Sequence, residues 1–113
     1  MKNTNIKILY KKTIFEVISL YNNILAIISG ASTLKELKDN KETLDKNISK
    51  IDSICEIYGQ RAPDVCKDFN KIKEIIESLE QSHSKNIDQS QIIRIQELMK
   101  KNIYTLNSFL EQL

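Results

Sequence analysis

Apolar residues recur at three- and four-residue spacing along almost the whole chain, in four stretches parted by short polar breaks, and this periodicity predicts an all-α fold. The first stretch, about residues 5–29, puts Tyr10, Ile14, Val17, Ile18, Tyr21, Ile24, Leu25 and Ile28 on one helical face. Phe15, Leu20 and Ile27 widen that face and leave a thin polar stripe of Lys12, Glu16, Ser19 and Asn23. A face this broad implies a deeply buried helix, or one whose apolar flank docks a partner or a second copy of the chain as a homodimer.

The second stretch, about 33–58, has a narrower seam of Leu34, Leu37, Leu44, Ile48, Ile51, Cys55 and Tyr58, the spacing that suits bundle packing. Lys41 fills a slot due to be apolar, and there it either fixes register or snorkels at the bundle edge. The third stretch, about 63–84, turns Val65, Phe69, Ile72, Ile75, Ile76 and Leu79 inward. The fourth, about 88–112, carries Ile92, Ile95, Met99, Ile103, Leu106, Phe109, Leu110 and Leu113.

Start and stop signals fall between these stretches. Gly30 is placed to end the first helix in a left-handed cap, and Thr33 with Glu36 has the spacing of a capping box. Gly59 stops the second helix, Pro63 suits the first turn of the third, and Asp64 complements its dipole. Asp88 and Gln91 repeat the capping-box spacing before the fourth. Short connections between four amphipathic helices predict an antiparallel four-helix bundle, with residues 1–113 as a single domain.

Composition narrows this picture a little. Two glycines and one proline in 113 residues agree with long helices and little loop, and the length is enough for one core. The excess of Ile, Lys and Asn is as much a mark of AT-rich codons as of structural need, and a bacterial or phage source is expected from it. Seventeen basic against fifteen acidic residues leave a formal charge of +2, with mixed signs on the outer faces of the helices. Such faces are solvated surface, and the presence of only two arginines weakens a nucleic-acid reading based on the lysines of the second and third helices.

Lys2, Lys7, Lys11 and Lys12 precede an apolar run, as in a signal peptide, but Glu16, Asn22 and Asn23 interrupt it. Neither a signal peptide nor a membrane span is therefore expected, and the expected location is cytoplasmic. A secreted or periplasmic location follows if a native signal ahead of Met1 has been removed and the cysteines are bridged.

Cys55 lies one turn before the end of the second helix and Cys66 in the first turn of the third, so the pair faces across a helical hairpin. They are either a disulfide or two reduced core thiols; facing turns favour the bridge, and a reducing cytosol favours the thiols. The ten residues between them are not a zinc spacing, and the single histidine, His83, lies too far along the third helix to serve as ligand or base. No catalytic, cofactor-binding or metal-binding residue is identified, no phosphate loop surrounds either glycine, and the chain is not expected to be an enzyme.

The candidate partner-binding residues are Tyr58 and Arg61 at the hairpin tip, and Met99, Leu106, Phe109 and Leu110 along the fourth helix. The implied function is a protein-binding bundle that acts by occluding its partner, as a chaperone, adaptor, immunity protein or inhibitor does. The alternative is an extracytoplasmic, disulfide-stapled binding or structural module. In size and helix pattern the chain is loosely similar to flagellar export chaperones and bacteriocin immunity proteins. No motif carries that likeness, so no residue roles follow from it.

Overall fold

A computed structural model describes residues 2–113, with side-chain environments from Lys7 onward. Five helices make up the fold: α1 (Lys2–Gly30), α2 (Leu34–Asp39), α3 (Lys41–Tyr58), α4 (Pro63–Glu80) and α5 (Gln89–Gln112). The helical-bundle expectation therefore holds, with five helices where four were expected. The extra helix comes from a break at Asn40, whose φ of −102° and ψ of 9° interrupt the second predicted stretch. Its side-chain amide donates to the Glu36 carbonyl at 3.0 Å, a local bond that competes with continued helix. The short α2 can then turn Leu34 and Leu37 into the core at the end of the bundle, against α4.

Lys41, the first residue of α3, neither points into a seam nor simply snorkels. Its ammonium lies 2.9 Å from Glu80 at the end of α4 and 3.2 Å from Asp45, tying α3 to α4 across the solvent side. Open to solvent, these pairs are screened and steady the helix ends only weakly.

Around the bundle, α1 packs on α3 and α5, and α4 packs on α5. Tyr10 meets Tyr58 and Asn23 meets Asn47 between α1 and α3, so the two helices run in opposite directions. The core is continuous. Tyr21, Ile24 and Ile28 of α1, Leu44 and Ile51 of α3, Phe69, Ile72 and Ile76 of α4, and Ile95 and Met99 of α5 are almost wholly enclosed. Burial of each such side chain is worth about 1.5–3 kcal/mol, which is why the apolar stripes and not local propensity decide the fold.

The broad face of α1 divides in two. Ile14, Val17, Leu20, Tyr21, Ile24 and Ile28 are core, while Phe15 remains 59% exposed. Against the expectation of no membrane-length stretch, Lys7–Gly30 is long and apolar enough to span a bilayer by length and composition alone, with a mean hydropathy of 1.4. A third of that stretch is packed inside the bundle. That buried third serves as a wall of the core.

Two helix ends differ from their expected chemistry. Among the described residues no glycine has positive φ, so Gly30 is the last helical residue and no left-handed cap. Gly59 is likewise right-handed, with φ −58°, and its role is spatial: a Cβ there would collide with the Cys55 carbonyl oxygen that its own N–H bonds at 2.8 Å. Thr33 caps α2 as expected by accepting from the Glu36 N–H, but Glu36 returns the bond to Ser32 N–H. Asp88 caps α5 through the Ser90 N–H, with no side-chain contribution from Gln91.

The third predicted helix ends early, at Glu80. Residues 81–88 instead run beside the α1–α2 connection, where Leu34 N–H donates to the Lys85 carbonyl at 3.0 Å and Thr33 bridges to Asn86. Ile87 then plugs this end of the core at 7% exposure.

Candidate functional site

The opposite end of the bundle is built by the four-residue connection Gly59–Ala62 between α3 and α4. Arg61 N–H donates to the Tyr58 carbonyl at 2.9 Å and Ala62 N–H to the Gly59 carbonyl at 3.3 Å, so the turn is fixed by successive backbone bonds. Pro63 then opens α4 at its first turn, where a missing N–H costs nothing. Cys55 and Cys66, with Cα atoms 5.9 Å apart, are joined as a disulfide across the base of the turn. The sulfurs are thus neither thiolate nucleophiles nor metal ligands while the bridge stands. Among the described residues there is no group of three His, Cys, Asp or Glu side chains that could hold a metal ion, and His83 is exposed in the connection before α5.

Three side chains converge above the staple. Tyr10 of α1 and Tyr58 of α3 sit with ring centroids 6.2 Å apart at 49°, and the Arg61 guanidinium lies 5.5 Å from the centre of the Tyr10 ring. A cation over an aromatic face at this distance is worth about 0.5–1 kcal/mol when exposed, enough to bias the arginine toward one orientation. Ile57, on the last turn of α3, stands 74% exposed beside them. Beneath the rings is an apolar cavity of about 40 Å³, walled by Tyr10, Val17, Ile51, Cys55, Tyr58 and Leu106 among others. It has room for a small alkyl group and few polar atoms to hold water.

Tyr58 and Arg61 are therefore brought together as the sequence implied. Met99 and Leu106 are not available to a partner: they are 0% and 4% exposed, because the stripe through Ile92, Ile95, Met99 and Leu106 is the face α5 turns to the core. Phe109 and Leu110 are half buried against the core's edge. Leu106 reaches the cavity under Tyr10 and Tyr58, which places this last part of α5 at the stapled end.

Comparison with protein-family models, with curated proteins and with solved structures returned no match.

Tyr10 is the member of the site that sequence reasoning missed, because its place in the apolar stripe of α1 reads as core. A second missed feature is a polar layer midway along the bundle. Tyr21 stacks on Phe69 with centroids 5.8 Å apart, and Asp68, 6% exposed, pairs with Lys101 at 3.2 Å. The Tyr21 hydroxyl and the Asn102 side-chain nitrogen are enclosed without a hydrogen-bond partner among the described residues. Burial pushes the Tyr21 phenol well above its ordinary value; the neighbouring Asn102 amide partly offsets this, and the Asp68 carboxylate adds to it. Such a phenol neither donates nor accepts a proton near neutrality.

Tyr21→Phe removes the stranded hydroxyl while keeping the ring stack, and is expected to raise the unfolding free energy by about 1 kcal/mol. Because the folded-state phenol is raised, the folded chain holds this proton more tightly than the unfolded one, so stability is unaffected by it below the unfolded value of 10.0 and falls as pH rises beyond it. Denaturant titrations at neutral and alkaline pH should show Tyr21→Phe losing less stability above pH 10.0 than the unaltered chain. An equal alkaline loss would show that Tyr21 is not the group responsible.

Proposed function

We propose that this protein is a non-enzymatic, disulfide-stapled binding module of an oxidising compartment, and that it engages another protein through its stapled end. The observation that carries this reading is the Arg61 guanidinium held over Tyr10, beside Tyr58 and the exposed Ile57, on a turn closed by Cys55–Cys66. Arginine and tyrosine dominate the energetics of protein interfaces, and a turn that is already rigid loses little freedom when a partner binds. The apolar cavity below adds a place for a small aliphatic side chain of that partner. Occlusion of the partner's surface is the mechanism such a site supports.

The disulfide favours an oxidising, extracytoplasmic setting over the cytoplasmic one, since small bridged domains persist where thiols are not kept reduced. The role of α1 in the core fits a helix retained in the working protein, because its Tyr21 stacks on Phe69 and its loss would uncover that ring.

A photo-crosslinking residue placed at position 61 in the native host tests the proposal. One protein partner should be captured there, and Arg61→Ala should weaken its binding by tenfold or more, the scale of an interface hot spot. Capture at position 61 no greater than at exposed Glu97 on α5, or undiminished binding by Arg61→Ala, would reject the stapled end as the site.

A further inference from the structure

The charge of the chain is divided unevenly. Residues 1–15 hold four lysines and no acid, whereas residues 16–113 hold thirteen basic against fifteen acidic side chains. The first turns of α1 are thus a basic element on a slightly acidic bundle. They also carry three of the most exposed large apolar side chains among the described residues: Ile8 at 49%, Leu9 at 55% and Phe15 at 59%.

The two properties share one face. Ile8 and Phe15 are seven residues apart and therefore project within about 20° of each other. Lys11 and Lys12, three and four positions after Ile8, lie between them along the helix and flank them on either side. Tyr10, Ile14 and Val17 occupy the other side of the same turns and face the bundle, so the patch cannot be drawn into the core without giving up those contacts.

We propose that this face of α1 docks on an anionic lipid bilayer. Charge decides the occupant: an anionic headgroup layer lies directly over apolar chains, and Ile8, Leu9 and Phe15 enter that boundary while the lysine stems reach back to the phosphates. An acidic protein would satisfy the lysines but would also need an apolar pocket matched to Ile8 and Phe15. Each lysine near an anionic surface raises partitioning roughly fivefold, so Lys7, Lys11 and Lys12, offset by Glu16 on the flank of Lys12, account for a preference of roughly twentyfold over neutral lipid. The inference is independent of the stapled end and of any protein partner there.

Flotation of the full oxidised chain with two kinds of vesicle tests it: phosphatidylcholine alone, and phosphatidylcholine mixed with phosphatidylglycerol. The chain should prefer the mixed vesicles by roughly twentyfold and lose that preference at high salt. Lys11→Glu with Lys12→Glu, and separately Ile8→Ser with Phe15→Ser, should each lower partitioning by about tenfold or more with unchanged circular dichroism and melting. Tyr104→Ser, at a 76% exposed position on α5, should change nothing. Equal binding to both vesicles, no binding at low salt, or full binding by either double variant would overturn the proposal. So would loss of binding in Tyr104→Ser, or capture of an acidic polyglutamate peptide by a chain that ignores the vesicles.

Discussion

Phe69→Ala is expected to lower the unfolding free energy by about 3–5 kcal/mol, the largest effect of any single change proposed for this chain. Phe69 is 1% exposed, stacks on Tyr21, and has the Lys73 ammonium 5.7 Å from its ring centre. Lys73 is held in turn by Asp52 of α3 at 2.7 Å. Truncation would leave a cavity between α1 and α4 and remove the platform that positions Tyr21. Since small domains are stable by only about 5–15 kcal/mol, the variant should be largely unfolded at modest denaturant concentrations. Phe69→Leu, closer in volume, should cost less than half as much. Chemical denaturation followed by circular dichroism measures both, and a loss below about 1 kcal/mol for Phe69→Ala would show that α4 does not pack as described.

Opening the Cys55–Cys66 bridge should have the next largest effect. The residues are eleven apart in sequence, and in the chain-entropy account a loop of that length stabilises by about 3 kcal/mol, through the freedom it denies the unfolded chain. For a domain of this size that is a fall in melting temperature on the order of 10 °C. Secondary structure should survive in dilute buffer, because the enclosed residues of the core do not include either cysteine. The dependence of stability on denaturant should steepen, since an unbridged chain exposes more surface when unfolded. Reduction is the gentler test, and Cys55→Ala with Cys66→Ala is the permanent one. A melting temperature that ignores both would mean the loop is already confined by other contacts.

What the sequence made legible follows the range of the forces involved. Helix starts were readable because their chemistry is local: Pro63 and Asp64 open α4, Thr33 caps α2 and Asp88 caps α5 within a few residues of where each acts. Helix ends were less so. The break at Asn40 and the early end of α4 depend on the contact between residues 81–88 and the α1–α2 connection, which no window of local sequence contains. The stripe on α5 was misjudged for a different reason. Periodicity says that Met99 and Leu106 share an apolar face but not what covers it, and here the covering is the protein's own core.

The stapled end was half legible. Facing turns made a Cys55–Cys66 bridge geometrically reasonable, while the redox setting that decides it is a property of the surroundings and not of spacing. Tyr58 and Arg61 stood out as interface-type residues in a turn. Tyr10, which gives Arg61 its ring, joins them only when α1 packs against α3 and brings distant parts of the chain together.

Everything proposed for the stapled end depends on the Cys55–Cys66 bridge being closed in the working protein. Protein isolated from its native source without reductant, alkylated under denaturing conditions and weighed by mass spectrometry, should show neither cysteine modified. Alkylation of both Cys55 and Cys66 would mean that the working protein carries two thiols, and the account of a preformed tip in an oxidising compartment would be wrong.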